Sequence, residues 1–211
     1  MNPNERCVIL SGGIMEDYPY IKSLLRPDDY ILCADSGIRH AEKLGVVPKV
    51  CLGDFDSFSG AIPFDCEMIR YPAEKDDTDT AAAAKEAVKR GFTEVLLLGG
   101  AGGRLDHTVA NLQVLQYLHQ RGICAQMADE RSLAMLYSPG SYCLKRLPGF
   151  YLSLFSFGER CIIERLRGVK YPLTGALLTN GFPLGISNEF TEEYAELSFK
   201  NGDLLIILAK D

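Results

Sequence analysis

The chain has 211 residues, 47% of them hydrophobic and 24% charged, which is ordinary for a globular protein and long enough for one large domain or two small ones. A formal net charge of −6 without any basic stripe excludes a general nucleic-acid binder, which must displace counterions from phosphate. No apolar run approaches the roughly 18 residues that span a bilayer, and Met1-Asn2-Pro3-Asn4-Glu5-Arg6 lacks the apolar stretch of a signal peptide, so a soluble cytoplasmic protein is expected.

From the start to about residue 128, short apolar runs alternate with amphipathic stretches, the pattern of βαβ units around a mostly parallel sheet. Cys7 to Leu10 runs into Ser11-Gly12-Gly13, Tyr30 to Ala34 into Asp35-Ser36-Gly37, and Val50 to Leu52 into Gly53-Asp54, so each expected strand delivers a polar or glycine-rich tip. Ile38, Ala41 and Leu44 have helical spacing before Gly45. Thr80 to Arg90 is rich in helix formers and stops at Gly91, and Val109, Leu112, Leu115 and Leu118 mark another helix before Gly122.

After Asp129 the texture changes. Leu133 to Tyr137, Tyr142 to Leu147, Tyr151 to Phe157, Cys161 to Leu166, Ala176 to Thr179, Tyr194 to Phe199 and Leu204 to Leu208 are short β-type runs between turn residues, which predicts an all-β sandwich or barrel. Lys200-Asn201-Gly202-Asp203 between the last two predicts a hairpin. The expected division is residues 1–135, an α/β domain, and residues 136–211, the β domain. Seven cysteines without a Cys-x-x-Cys pair read as buried small hydrophobes.

The chemistry gathers at the strand tips. Asp54 and Asp56 alternate in an extended segment, so both carboxylates can face one metal; a solvated turn is the plainer reading. Asp76, Asp77 and Asp79 with Thr78 open the alanine-rich helix, where one residue suffices as a cap. Lys75 and Lys85 can add cations for phosphate. Gly99-Gly100 and Gly102-Gly103 precede Arg104, Asp106 and His107, a place where backbone approaches an anion closely; the alternatives are a tight turn capped by Asp106 and a structural histidine. Asp35 is either a ligand group or a cap. No Walker A or G-x-G-x-x-G motif is present, so any nucleotide site is of another kind. Clustered carboxylates at strand tips point to Mg²⁺-dependent phosphate chemistry.

Taken in order, Ala34-Asp35-Ser36-Gly37, Gly53-Asp54-Phe55-Asp56-Ser57, Asp76-Asp77-Thr78-Asp79, Gly102-Gly103-Arg104-Leu105-Asp106-His107 with Ala110-Asn111-Leu112, Gly168-Val169-Lys170-Tyr171-Pro172-Leu173 and Ser187-Asn188-Glu189 resemble the thiamine pyrophosphokinase family. The resemblance implies an ATP- and Mg²⁺-binding α/β domain, a thiamine-binding β-sandwich and a homodimer with thiamine sites between subunits. It also implies transfer of the β,γ-diphosphate of ATP to the hydroxyl of thiamine, leaving AMP. By motif, Asp54, Asp56 and Asp79 are the metal carboxylates, with Arg104 and Asp106 beside them in catalysis. Asp35, Asp77, Thr78, Lys85, His107 and Asn111 fall to the nucleotide and its metal, Tyr171 to stacking on thiamine, and Ser187 and Asn188 to its pyrimidine. The alanines after Thr80 depart from larger or charged residues often found there. A D-x-D phosphohydrolase and a non-enzymatic binding module are the competing classes.

Overall fold

Parallel pairing organises the first half of the chain, whose structure, a computed structural model, is described for residues 5–55, 64–72 and 77–211. The strands are β1 (Cys7–Leu10), β2 (Tyr30–Ala34), β3 (Val50–Gly53), β4 (Glu67–Arg70), β5 (Glu94–Leu98) and β6 (Cys124–Ala128). They lie side by side in the order β4-β3-β2-β1-β5-β6, all parallel. β1 and β3 are buried throughout, as continuous apolar runs in a sheet covered on both faces should be. Each fully buried aliphatic side chain here, such as Ile9, Leu10 or Leu97, contributes roughly 1.5–3 kcal/mol.

The helices are α1 (Tyr18–Ser23), α2 (Ile38–Leu44), α3 (Asp79–Lys89) and α4 (Leu105–His119). α2 stops at Gly45, whose φ of 64° is the left-handed value that closes a helix. Thr78 caps α3 by accepting the Ala81 N–H at 3.1 Å. Thr80, Ala83, Ala84 and Ala87 bury one stripe of α3, and the small side chains let it pack closely on β1, β2 and β3. α4 begins earlier than its apolar spacing indicated, because its first turn carries exposed residues such as Leu105, 77% exposed. A buried ion pair ties the start of β1 to the segment before β2. Arg6 donates to both carboxylate oxygens of Asp29 at 2.9 and 2.7 Å and to the Leu24 carbonyl oxygen at 2.9 Å.

Two compact units divide the chain, Met1–Glu130 and Arg131–Asp211. The boundary precedes residue 135 because β7 (Ser132–Tyr137) pairs with a strand of the second unit and stays whole with it. That unit continues with β8 (Gly140–Lys145), β9 (Tyr151–Ser156), β10 (Arg160–Arg167), β11 (Leu173–Thr179), β12 (Tyr194–Lys200) and β13 (Leu204–Ala209). One antiparallel set runs β7-β13-β9 and the other β11-β10-β12-β8. Leu152, Leu154, Ile163, Leu197, Phe199 and Ile206, drawn from both sets, share one core, so the unit is built as two facing sheets.

The hairpin expected at Asn201-Gly202 does not form. Both residues take positive φ, 62° and 67°, but β12 pairs with β10 and β8 while β13 pairs with β7 and β9, so the tight turn carries the chain from one sheet to the other. The cysteine expectation also needs correcting. Cys7, Cys33, Cys51 and Cys161 are buried, and burial pushes the Cys7 thiol up to about 12, but Cys124 and Cys143 are exposed, at the start of β6 and on the outer face of β8. Among the described residues no helix is long and apolar enough to cross a membrane.

Candidate active site at the strand tips

In the first unit the strand order reverses at β1. β2, β3 and β4 extend to one side and β5 and β6 to the other, and ligands in open α/β sheets bind beyond the carboxyl ends of the strands at such a reversal. A cavity of about 370 Å³ opens there. Its walls are the turn after β1 (Ser11 to Ile14), the tip of β2 (Asp35, Ser36), the start of α3 (Thr78, Asp79, Thr80), the glycines after β5 and the start of α4 (Arg104, His107, Asn111).

Backbone forms much of its floor. The Ser11 N–H donates to the Leu98 carbonyl and the Gly13 N–H to the Gly99 carbonyl, both at 2.9 Å, so the β1–β5 ladder continues into the turns. Gly99 has φ 67°, and a Cβ there would lie 2.5 Å from the Ser11 carbonyl oxygen; a Cβ on Gly37 would run into the Leu10 carbonyl. Only glycine allows these tips to touch. Buried side chains brace the same floor: the Ser11 and Thr80 hydroxyls share a hydrogen bond of 2.7 Å, and Asn111 donates to the Gly100 carbonyl at 2.7 Å.

Acidic groups stand in two of these walls. Asp35 and Asp79 both line the cavity, and Gly53 packs against Asp35 so closely that a Cβ on the glycine would lie 3.2 Å from the Asp35 Cα, which brings Asp54 to the neighbouring tip. Asp35 and Phe55 are non-glycine residues with positive φ, 44° and 60°, and flank this contact. Such backbone outliers concentrate at functional sites. Asp56 lies outside the described residues, as do Lys75 and Asp76. Among the described residues no group of three or more His, Cys, Asp or Glu is arranged to hold a metal. Mg²⁺ takes only one or two protein carboxylates beside water and phosphate oxygen, so a pair of acids from these tips has the donor chemistry it takes.

Arg104 stands at the mouth, paired with Asp106 at 2.6 and 3.1 Å, and this guanidinium holds the exposed Asp106 carboxyl below the usual carboxylate range. Asp106 also accepts the His107 N–H at 3.0 Å. Of the sequence candidates, the structure therefore brings Asp35, Thr78, Asp79, Arg104, His107 and Asn111 to one cavity. Asp77 and Lys85 do not line it. They form an ion pair of 2.6 Å on an adjoining groove of about 430 Å³ between α3 and α4, which shares only Thr78 with the cavity and whose walls include Ala81, Ala110 and Tyr117. The pairing raises the Lys85 pKa.

In the second unit, Tyr171 is 59% exposed, with the Lys170 ammonium 5.7 Å from its ring centre. Asn188, expected at the thiamine pyrimidine, is buried. Its carboxamide is 3% exposed and committed to backbone: Oδ1 accepts from the N–H groups of Tyr171 and Glu189, each at 3.0 Å, and Nδ2 donates to the Tyr171 carbonyl at 2.7 Å. It acts as a strand-like partner that fixes Tyr171. Ser187 is exposed, has φ 55°, and its N–H donates to the Ser153 hydroxyl at 3.0 Å.

Two family models divide the chain between them. Residues 21–127 match the thiamin pyrophosphokinase catalytic domain, and residues 142–204 match the thiamin pyrophosphokinase vitamin B1 binding domain. The chain belongs to the thiamin pyrophosphokinase family. Thiamine pyrophosphokinase of Bacillus subtilis is 29% identical over 209 residues, covering 96% of this chain and 98% of the relative. The crystal structure of thiamine pyrophosphokinase from Bacillus subtilis superposes with a TM-score of 0.87 at 26% identity, covering 99% of this chain and all of that one. A thiamin pyrophosphokinase family protein from Enterococcus faecalis gives 0.81 at 31% identity, covering 98% and 99%.

Sequence reasoning missed three members of this thiamin pyrophosphokinase cavity. Ser11 and Thr80 are joined across 69 positions, so only the Thr that interrupts an otherwise apolar helix stripe hints at the contact. Ser36, whose hydroxyl stands where a Cβ on Gly12 would fall, is visible in sequence only as part of a turn.

Proposed function

We propose that the chain transfers the β,γ-diphosphate of ATP to the hydroxyl of thiamine, yielding thiamine diphosphate and AMP. The observation that carries this reading is the glycine-floored cavity at the β1/β5 reversal, with Asp35, Asp79 and Arg104 in its walls. Diphosphoryl transfer asks a protein chiefly to hold nucleophile and leaving group in line and to balance charge. The glycine turns let the phosphate chain lie against backbone. Arg104 neutralises phosphate oxygens, and Asp106 aims its guanidinium.

Asp54 and Asp79 would hold Mg²⁺, with Asp35 beside them and Asp56 as the further carboxylate named by sequence. When bound, the metal supplies charge neutralisation across the phosphates. Tyr171 offers an exposed ring, pinned from behind by Asn188, for the cationic thiamine heterocycles, and Ser187 a nearby hydroxyl. The reading includes a homodimer with thiamine sites between subunits.

The test is an incubation with ATP, Mg²⁺ and thiamine followed by chromatographic separation of AMP from ADP. AMP that forms only when thiamine is present supports the proposal. Phosphate release without an acceptor marks a hydrolase, and no turnover with retained ligand binding marks a binding module; either result overturns it.

A further inference from the structure

Two side chains outside the cavity hold one of its backbone walls. Tyr18 at the start of α1 and His40 on α2 meet with the Tyr18 hydroxyl 2.8 Å from His40 Nδ1, and His40 Nε2 lies 2.8 Å from the Gly13 carbonyl oxygen. A carbonyl oxygen only accepts, so Nε2 carries the hydrogen. In the neutral ring Nδ1 is then the acceptor, and the Tyr18 O–H donates to it. The tyrosine thereby fixes both the tautomer and the angle of the imidazole.

The far side of Gly13 is held as well, since its N–H donates to the Gly99 carbonyl at 2.9 Å. A Cβ on Gly13 would run into that same carbonyl, so the glycine sits hard against the β5 turn. The peptide groups on both sides of Gly13 are therefore gripped, by the β5 turn through the N–H and by α2 through the carbonyl. An unengaged carbonyl oxygen beside a phosphate would repel it. Here that acceptor is taken up by His40.

We propose that Tyr18 and His40 are positioning residues for the nucleotide: by engaging the Gly13 carbonyl they set the glycine turn on which the phosphate chain rests. This rests on the ATP-dependent reading above. Neither residue lines the cavity.

The experiment compares the full chain with His40→Ala, His40→Gln and Tyr18→Phe, measuring the KM of ATP and of thiamine, ATP affinity by calorimetry, and Tm. Glutamine can place its Nε2 near the imidazole Nε2, so it can restore the donor. For His40→Ala the ATP constants should weaken about threefold to tenfold, the weight of one neutral hydrogen bond, while the thiamine KM holds. His40→Gln should recover most of that loss, and Tyr18→Phe, which keeps the packed ring, should fall between. Unchanged ATP constants in both His40→Ala and Tyr18→Phe, or equal losses on both substrates that glutamine does not rescue, overturn the inference alone. Failure of the unaltered chain to bind ATP overturns the ATP-dependent reading and this inference with it. Should His40→Ala not fold, the Tyr18→Phe and His40→Gln constants decide by the same criteria.

Discussion

Single side chains separate the roles at this site. Asp79→Asn should lower the rate of AMP formation by about 100-fold or more, the scale of losing one electrostatic group aimed at a transferring centre, with Tm unchanged or higher; full turnover with intact Mg²⁺ dependence would remove Asp79 from the metal site. Tyr171→Ala should raise the thiamine KM about tenfold through lost stacking and cation–π attraction and leave the ATP KM in place, whereas Tyr171→Phe should stay near the parent. Equal losses on both substrates would make the ring a packing residue. His40 gives a pH prediction. Burial lowers its pKa, with its Gly13 hydrogen bond and Glu130 opposing and Lys43 adding to the shift. The unfolded chain then binds more protons than the folded one between that lowered value and the ordinary value of about 6.5. The stability due to neutral His40 is present above that window and falls as pH drops through it, so the Tm difference between parent and His40→Gln should shrink on acidification; a gap that widens would contradict this. Asp35 and Asp54 were legible because they follow apolar runs, and Asp77 and Asp79 because they crowd the start of an alanine-rich helix. The committed carboxamide of Asn188 and the His40 contact were not, since their partners lie 17 and 27 positions away in sequence.

At the scale of elements, packing decides what can change. Ala83 is completely buried on α3, so Ala83→Leu should destabilise by about 1–3 kcal/mol through overpacking, measured by urea unfolding; no loss would mean that the helix is free to lift from the sheet. Arg6→Met should cost about 3–5 kcal/mol, because the Asp29 side chain, 1% exposed, loses its ion-pair partner. β1, β2, β3 and β5 could be read from sequence because each is an uninterrupted apolar run. β4 could not: Glu67–Arg70 has mostly exposed side chains and sits at the end of the sheet order, where neither alternation nor burial is imposed. α1 is six residues long, too short for periodicity to show, and is marked by Pro19 in its first turn and by the Asp17 side chain accepting the Tyr20 N–H. The Asn-Gly turn misled for a different reason. Its local geometry is what the residues demand, but the pairing of the flanking strands is set by the core that Phe199 and Ile206 enter together.

For the molecule as a whole, the homodimer proposal predicts twice the chain mass by light scattering at concentrations where the enzyme turns over, with a concentration-dependent Tm. A monomeric mass during turnover would show that each active site is complete within one chain. The order of synthesis gives the β1/β5 contact another meaning. β1 leaves the ribosome first, yet its second neighbour, which pairs Cys7 with Val95, is made only after β2, β3, β4 and α3. Until then the most apolar strand of the nascent chain has one bare edge, open to pairing with other chains. Ribosome stalling or premature truncation before Glu94 should therefore yield insoluble fragments rather than partly active ones, and those ending beyond α4 should be the first to hold a nucleotide.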